Sequence, residues 1–277
     1  MNIIFLFLIS TSGVNSLLLP ASSYGMTTSF SSSRDVEAIF YNPAHLVAGE
    51  DYSLWLSYNR FYLETQSVSL AISKRLGSFN LGVSLLNFDY GDIPLRPDYP
   101  TDDTVANYTA HDFSAALCGN VHIPPYGWIG GSIKYVYEQI YSYSGAALAF
   151  DMSFAYRTEK AGVSLGASNF GSRITLKDES VNLPARVSVG ALYDFKKVIA
   201  SVDAHYLVNT AVWEGGIGAE VPLNETFGVM AAANYREQIY PGFGVSIRSG
   251  KMQIRYAGAL YPKDLGFINS LGLGFEF

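Results

Sequence analysis

The sequence is poor in charge and nearly devoid of cysteine. Only 15% of its 277 residues are Asp, Glu, Lys or Arg, and 18 basic residues against 24 acidic ones leave a formal net charge of −6. A nucleic-acid partner is therefore not expected, since the basic footprint that neutralises phosphates is missing. The lone Cys118 can form no internal disulfide, and it lies too far along the chain to be a lipoprotein's acylated cysteine. The four histidines (His45, His111, His122 and His205) are scattered, with no pair at the i, i+4 or CxxC-type spacing of a zinc site, so neither metal nor cofactor is expected. Long hydrophobic runs are also missing. Beyond the first 19 residues nothing approaches the roughly 18 consecutive apolar residues of a membrane helix. Yet 49% of the residues are apolar and 14% aromatic, with 20 Tyr and 17 Phe. Two classes remain: a soluble all-β protein, or a transmembrane β-barrel whose strands alternate lipid-facing and lumen-facing residues. An enzyme is not expected, because no Ser/His/Asp grouping stands out and no Gly-x-Ser-x-Gly element falls where a loop or strand end would expose it.

Residues 1–16 read as a cleaved secretory signal. A short apolar core over residues 3–9 is followed by small polar residues and by Val14-Asn15-Ser16, the small-residue spacing of a signal-peptidase site. Residues 17–50 are irregular and rich in Ser, Thr and Gly. Within them one short helix is expected over 35–41, stopped by Asn42-Pro43, because proline disfavours the helical conformation in the residue before it.

From residue 51 to 277 the chain divides into fourteen segments with period-two alternation, each bounded by Gly, Pro, Asn, Asp or a charge cluster. The predicted strands cover 52–60, 65–74, 79–90, 107–122, 128–142, 145–157, 161–170, 184–194, 197–207, 211–221, 226–236, 241–248, 251–260 and 265–277. Charges fall on one face. Ile129, Ile133, Tyr135 and Tyr137 oppose Ser132, Lys134 and Glu138, and Trp213, Ile217 and Val221 oppose Glu214 and Glu220. A lumen network of Lys134, Glu138, Asp151, Arg186, Asp203, His205, Glu214, Glu220 and Arg255 is expected, since charges withdrawn from water need partners. Trp55 is the large apolar exception on the inward face. Connections alternate in length: the two longest, 91–106 and 171–183, lie on one side, and those on the other side are all short. That asymmetry belongs to outer-membrane barrels, with both termini periplasmic and the long loops outside. The last strand sharpens the assignment. Ser270, Gly272, Phe275 and Phe277 stand in the pattern of a C-terminal recognition signal read by the barrel-assembly machinery, with the aromatics placed for an interfacial girdle against outer-membrane lipid. The fold expected is thus all-β, a transmembrane antiparallel up-and-down barrel of about 14 strands.

Tyr24-Gly25-Met26 and then Asp35-Val36-Glu37-Ala38-Ile39-Phe40-Tyr41-Asn42-Pro43-Ala44-His45-Leu46 resemble the entry segment of the PorV/PorQ family, relatives of the FadL-type long-chain fatty-acid transporters. Weaker matches follow in order: 131–138, Ala149-Phe150-Asp151, Asn169-Phe170-Gly171, Leu183-Pro184-Ala185-Arg186 and Ile254-Arg255-Tyr256-Ala257. The resemblance spans residues 20–277 and implies a fourteen-stranded barrel with residues 17–50 folded into the lumen as a plug, shaped by Tyr41, Asn42, Pro43 and Ala44. It further implies a docking role in type IX-like protein secretion or surface attachment, with secretion-system or surface proteins as partners and loops 91–106 and 171–183 facing them. Transport of a hydrophobic ligand, with the Asn-Pro-Ala segment as hatch, is the alternative.

Overall fold

The protein is described by a computed structural model over residues 14–23, 27–47, 52–95, 97, 104–261 and 265–277. Most of the signal segment, Tyr24-Gly25-Met26, and Arg96, Asp98, Asp102 and Asp103 of the 91–106 connection lie outside the described residues.

Sixteen strands follow in chain order: β1 (Tyr52–Arg60), β2 (Gln66–Leu76), β3 (Phe79–Leu95), β4 (Ala106–Ile123), β5 (Gly127–Ile140), β6 (Tyr143–Arg157), β7 (Ala161–Gly171), β8 (Arg173–Leu176), β9 (Glu179–Asn182), β10 (Arg186–Asp194), β11 (Ile199–Leu207), β12 (Val212–Pro222), β13 (Phe227–Arg236), β14 (Gln238–Ser249), β15 (Met252–Tyr261) and β16 (Gly266–Glu276). Fourteen of them close an antiparallel barrel, and β8 and β9 form a separate hairpin. Closure is made by β1 against β16, in register from Ser53 opposite Glu276 to Arg60 opposite Asn269.

The barrel is inverted relative to a soluble sandwich. Large apolar side chains point outward: Val83 is 50% exposed, Leu165 56% and Ile217 61%. Small polar side chains point inward, and Ser57, Ser69, Ser73 and Ser153 are buried. A continuous apolar exterior far exceeds the patches that soluble monomers expose, so the solvent it matches is the hydrocarbon of a membrane.

Small inward residues make room for bulk elsewhere. Trp55 on β1, 1% exposed, lies across Gly272 and Gly274 of β16, and a Cβ on Gly272 would run into the indole. Gly272 therefore has a packing reason inside the barrel in addition to its place in the C-terminal pattern. Gly272→Val is expected to cost about 1–3 kcal/mol by overpacking. The check is the temperature at which the barrel loses its resistance to SDS; a value equal to that of the parent would refute the contact's importance.

Three segments differ from expectation. Of the 91–106 connection expected to be a partner-facing loop, residues 91–95 continue β3 and pair with β4, Leu95 opposite Ala106. Residues 171–183 were expected to be an open loop facing partners; they carry the β8–β9 hairpin, with Ile174 opposite Val181 and Lys177 in the left-handed region at the turn (φ 55°). Four-residue strands are too short for alternation to declare itself, and the hairpin forms because Ile174 has a site inside the barrel, where it is fully buried. The helix expected over 35–41 is two 3₁₀ turns, Val36–Phe40 and Pro43–His45. Asp35 caps the first by accepting the Glu37 N–H at 2.9 Å, and Asn42 caps the second by accepting the Ala44 N–H at 3.2 Å. Proline at the first position of that second turn costs no hydrogen bond, since its missing N–H would be unpaired there anyway.

Candidate functional site

The lumen is occupied by residues 14–23 and 27–47, which have no sheet ladder of their own and satisfy their backbone groups on inward side chains of the wall. The Asn-Pro-Ala turn is held most densely. Asn120 on β4 directs its Nδ2 at the carbonyls of Pro43, Ala44 and Leu46 at 3.0, 3.1 and 2.8 Å. The Ala44 N–H also donates to Ser153 Oγ at 2.8 Å, and Asn42 Nδ2 donates to the Phe30 carbonyl at 2.9 Å. Gly130 on β5 lies directly under Pro43 and Ala44, where any Cβ would strike their backbone. The neighbouring His45 joins the Ser33 carbonyl through Nδ1 at 3.0 Å and Ser164 Oγ through Nε2 at 2.9 Å. Burial first, then the charge of Arg157, pushes its pKa down to about 3. The imidazole is neutral at ordinary pH, so although Ser164 sits in the sequence Gly162-Val163-Ser164-Leu165-Gly166, the pair is a neutral latch between plug and wall.

The charged residues read as one network form separate clusters. Lys134 pairs with Asp151 at 2.7 Å and donates to Asn169 Oδ1 at 2.7 Å, while Asp151 accepts from Ser132 Oγ at 2.7 Å and from the Asn169 N–H at 2.8 Å. This group pins the β7 bulge, where Ser168 and Asn169 together face Asp151, with Asn169 at φ 60°. Asp203 accepts the N–H groups of Phe30 and Ser31 at 2.9 and 3.1 Å. His205, two residues on, bonds to Ser188 Oγ at 2.8 Å and meets the Phe30 ring edge-on at 6.0 Å, so it and Asp203 hold the plug by different contacts. Glu214 pairs with Arg236 at 2.8 Å. Glu138 stands opposite Asp112 in the β4–β5 register, and Glu220 lies near the terminus end of the lumen. Arg255 pairs with Glu37 and, at 3.5 Å, with Asp35, and its guanidinium lies 5.1 Å from the centre of the Trp55 ring. Arg186 stands opposite Ser168 of β7.

The plug's own acid, Glu37, was missed by sequence reasoning, as were Asn120 and Asp112. The last, fully buried, accepts from the Ser16 N–H and Tyr90 hydroxyl, both at 3.0 Å. Tyr41 ties the floor to the upper segment, accepting the Ser22 N–H at 2.9 Å and donating to the Ser22 carbonyl at 3.0 Å.

At the long-loop end the mouth is shut by apolar side chains. Leu19 packs with Phe61, Phe88 and Ile268 beneath Tyr62, Tyr240 and Tyr261, and Val14 and Leu17 pack with Ile174 of the hairpin. Below this lid lies a chamber of about 130 Å³, bordered by Leu17–Ala21, Tyr41 and the clusters around Lys134, Asp203 and Glu214. A second chamber, of about 540 Å³, opens at the terminus end beside Arg34, Glu220 and Arg248. Between them is a constriction of about 10 Å³ along β11–β13, lined by Thr28, Ser32, Ser201 and Gly218. It is closed by a hydrogen bond between the Thr28 and Ser201 hydroxyls.

These features define a class: a fourteen-strand membrane barrel whose lumen is interrupted by its own N-terminal segment. Solved structures that this chain resembles are the toluene transporter TbuX of Ralstonia pickettii, with a TM-score of 0.70 at 14% identity over 97% of this chain and 99% of that one, and the toluene transporter TodX of P. putida, with a TM-score of 0.72 at 9% identity over 94% and 99%. The likeness is one of fold. No family model and no curated protein sequence matches the chain.

Proposed function

We propose that this protein is a bacterial outer-membrane conduit for small hydrophobic molecules, with residues 17–50 as its hatch and Tyr41, Asn42, Pro43 and Ala44 as the hatch's floor. One observation carries the reading: an apolar, aromatic mouth leads to a chamber in the lumen, and the barrier below it is held by hydrogen bonds and ion pairs that can be exchanged. Transport therefore takes precedence over the docking role in secretion. A docking surface would be built on loops reaching away from the membrane, whereas the 171–183 connection turns Ile174 into the lumen against Val14 and Leu17. The toluene transporters that share the fold add weight to the same choice. On this reading the apolar segment ahead of Val14 directs export and is removed, since Val14 and Ser16 are seated in the lumen, and Phe275 and Phe277, on the outward face, serve assembly into lipid.

The test is permeation of toluene into vesicles carrying the purified full-length barrel. Faster entry than into empty vesicles is expected, and a barrel whose mouth is filled by Leu19→Trp should slow it. Entry at the rate of empty vesicles, from barrels shown to be folded, would overturn the conduit.

A further inference from the structure

Three cationic side chains border the upper chamber: Lys134, Arg186 and Arg236. Two are engaged, Lys134 by Asp151 and Arg236 by Glu214. Arg186 is different. Among the described residues its guanidinium forms no hydrogen bond or ion pair, and its Nε is shielded from solvent without a partner. Directly across the β7–β10 register is Ser168, whose buried Oγ is equally without a partner, and both residues border the chamber. Asp203 lies nearby, but its two oxygens are directed at the Phe30 and Ser31 N–H groups of the plug. A guanidinium Nε withdrawn from water beside an idle buried hydroxyl is costly unless something supplies acceptors.

The chamber's size narrows what that something is. At about 130 Å³ it is close to the roughly 150 Å³ of an engineered apolar cavity that accommodates benzene. The second chamber repeats the arrangement: Arg34 has buried Nε and Nη2 atoms without partners, and Arg248 and Lys251 stand on the same lining, together with Glu220 and Glu276. Among the described residues each side of the hatch thus presents a guanidinium with unpartnered nitrogens, and the narrow space between the chambers shares Thr28 with the upper one and Ile199 and Glu220 with the lower one.

We infer that the chamber takes small organic anions of about one ring in size, an apolar body carrying a carboxylate, with Arg186 and Ser168 as the head-group site and the Thr28–Ser201 contact as the barrier to onward passage. The assignment rests on the conduit reading and specifies its substrate class. In it the aromatic mouth admits the ring, the carboxylate accepts from the guanidinium and the Ser168 hydroxyl, and Arg34 offers the next cation once Thr28 moves.

Titration calorimetry on the purified full-length barrel tests this with benzoate as probe and benzamide as its uncharged counterpart. Benzoate should bind more tightly than benzamide, and Arg186→Gln should weaken benzoate by about tenfold or more and benzamide, whose carbonyl accepts but carries no charge, by clearly less, tenfold being about 1.4 kcal/mol. Equal affinities for benzoate and benzamide, or an undiminished affinity in Arg186→Gln, would overturn the assignment. Should that variant fail to assemble, Ser168→Ala provides the second reading: a several-fold loss for benzoate supports the site, and no loss refutes it. Toluene entry into vesicles separates the two levels. If toluene crosses and benzoate neither binds nor crosses, the anion site falls and the conduit stands; if benzoate binds and neither probe crosses, the site stands and the conduit falls.

Discussion

Replacing Arg255 by leucine is expected to release the hatch while leaving the barrel standing. Arg255 is 2% exposed and its partner Glu37 is fully buried. The guanidinium pairs with Glu37 and with Asp35 at 3.5 Å, both acids belonging to the 3₁₀ turn that precedes the Asn-Pro-Ala floor. Removing the cation strands a carboxylate in the lumen interior, and breaking a buried pair in this way costs about 3–5 kcal/mol. Most of the hatch's other contacts are neutral hydrogen bonds, each contributing about 0.5–1.5 kcal/mol net. The pair is accordingly the largest single hold on the segment, and Glu37 regains water once residues 35–40 leave the wall. The β14–β16 ladders run through backbone groups and do not depend on the Arg255 side chain. Expected readouts are cleavage of residues 27–47 by added protease and a higher conductance across a planar bilayer. The double variant Arg255→Leu with Glu37→Leu should recover much of the closed state, because an apolar pair of similar volume often replaces a buried ion pair without loss. A single variant as protease-resistant and as closed as the parent would refute the latch.

The barrel was legible in the sequence because lipid enforces alternation on every strand. Tyr52–Arg60 is read to the residue, and each of the fourteen spans overlaps one strand of the barrel. Where alternation lapses, reading stops: β3 runs on to Leu95 beyond the predicted 90, and the β8–β9 hairpin escapes notice because only Ile174 and Val181 declare a face. Inward charges were legible as inward, yet their partners were not. Period two says which side of the sheet a residue occupies and nothing about the aperiodic segment lying against it. Arg255 meets Glu37 across 218 positions of sequence, and the hatch offers no repeat from which that meeting could be inferred. A signal did exist, since Asp35 and Glu37 stand together against Ala38-Ile39-Phe40, and charge in an apolar turn calls for a cation. Asn120 carried no such mark: an asparagine on an inward strand face reads as ordinary lumen lining until the carbonyls that it faces are in view.

Those carbonyls make Asn120→Asp the sharper test of the floor. The side chains are nearly isosteric, so no cavity opens and no packing changes. What changes is that an NH₂ group 3.0, 3.1 and 2.8 Å from the carbonyls of Pro43, Ala44 and Leu46 becomes a third kind of acceptor among acceptors. Asn80 offers limited relief: its Nδ2 already donates to the Asn120 Oδ1 at 2.9 Å and to the Leu46 carbonyl at 3.1 Å. Both asparagines are 4% exposed, so water cannot screen the repulsion without the turn being lifted. Losing the hydrogen bonds and burying a charge together put the cost at roughly 3–5 kcal/mol, enough to unseat residues 42–46 although Asn42 still caps its own turn. Hydrogen exchange at the Ala44 and Leu46 amides is the direct measurement, and loss of protection is expected at pH 8, with conductance rising in parallel. Lowering the pH should restore part of the protection, because a neutral carboxyl can donate one hydrogen bond to the carbonyl cluster and a carboxylate can donate none. Arg255→Leu should show no such recovery by this route, since its three-carbonyl contact is intact. Unchanged protection at pH 8 would mean that the floor is held by Ser153, Gly130 and the turn's own cap, with Asn120 a bystander.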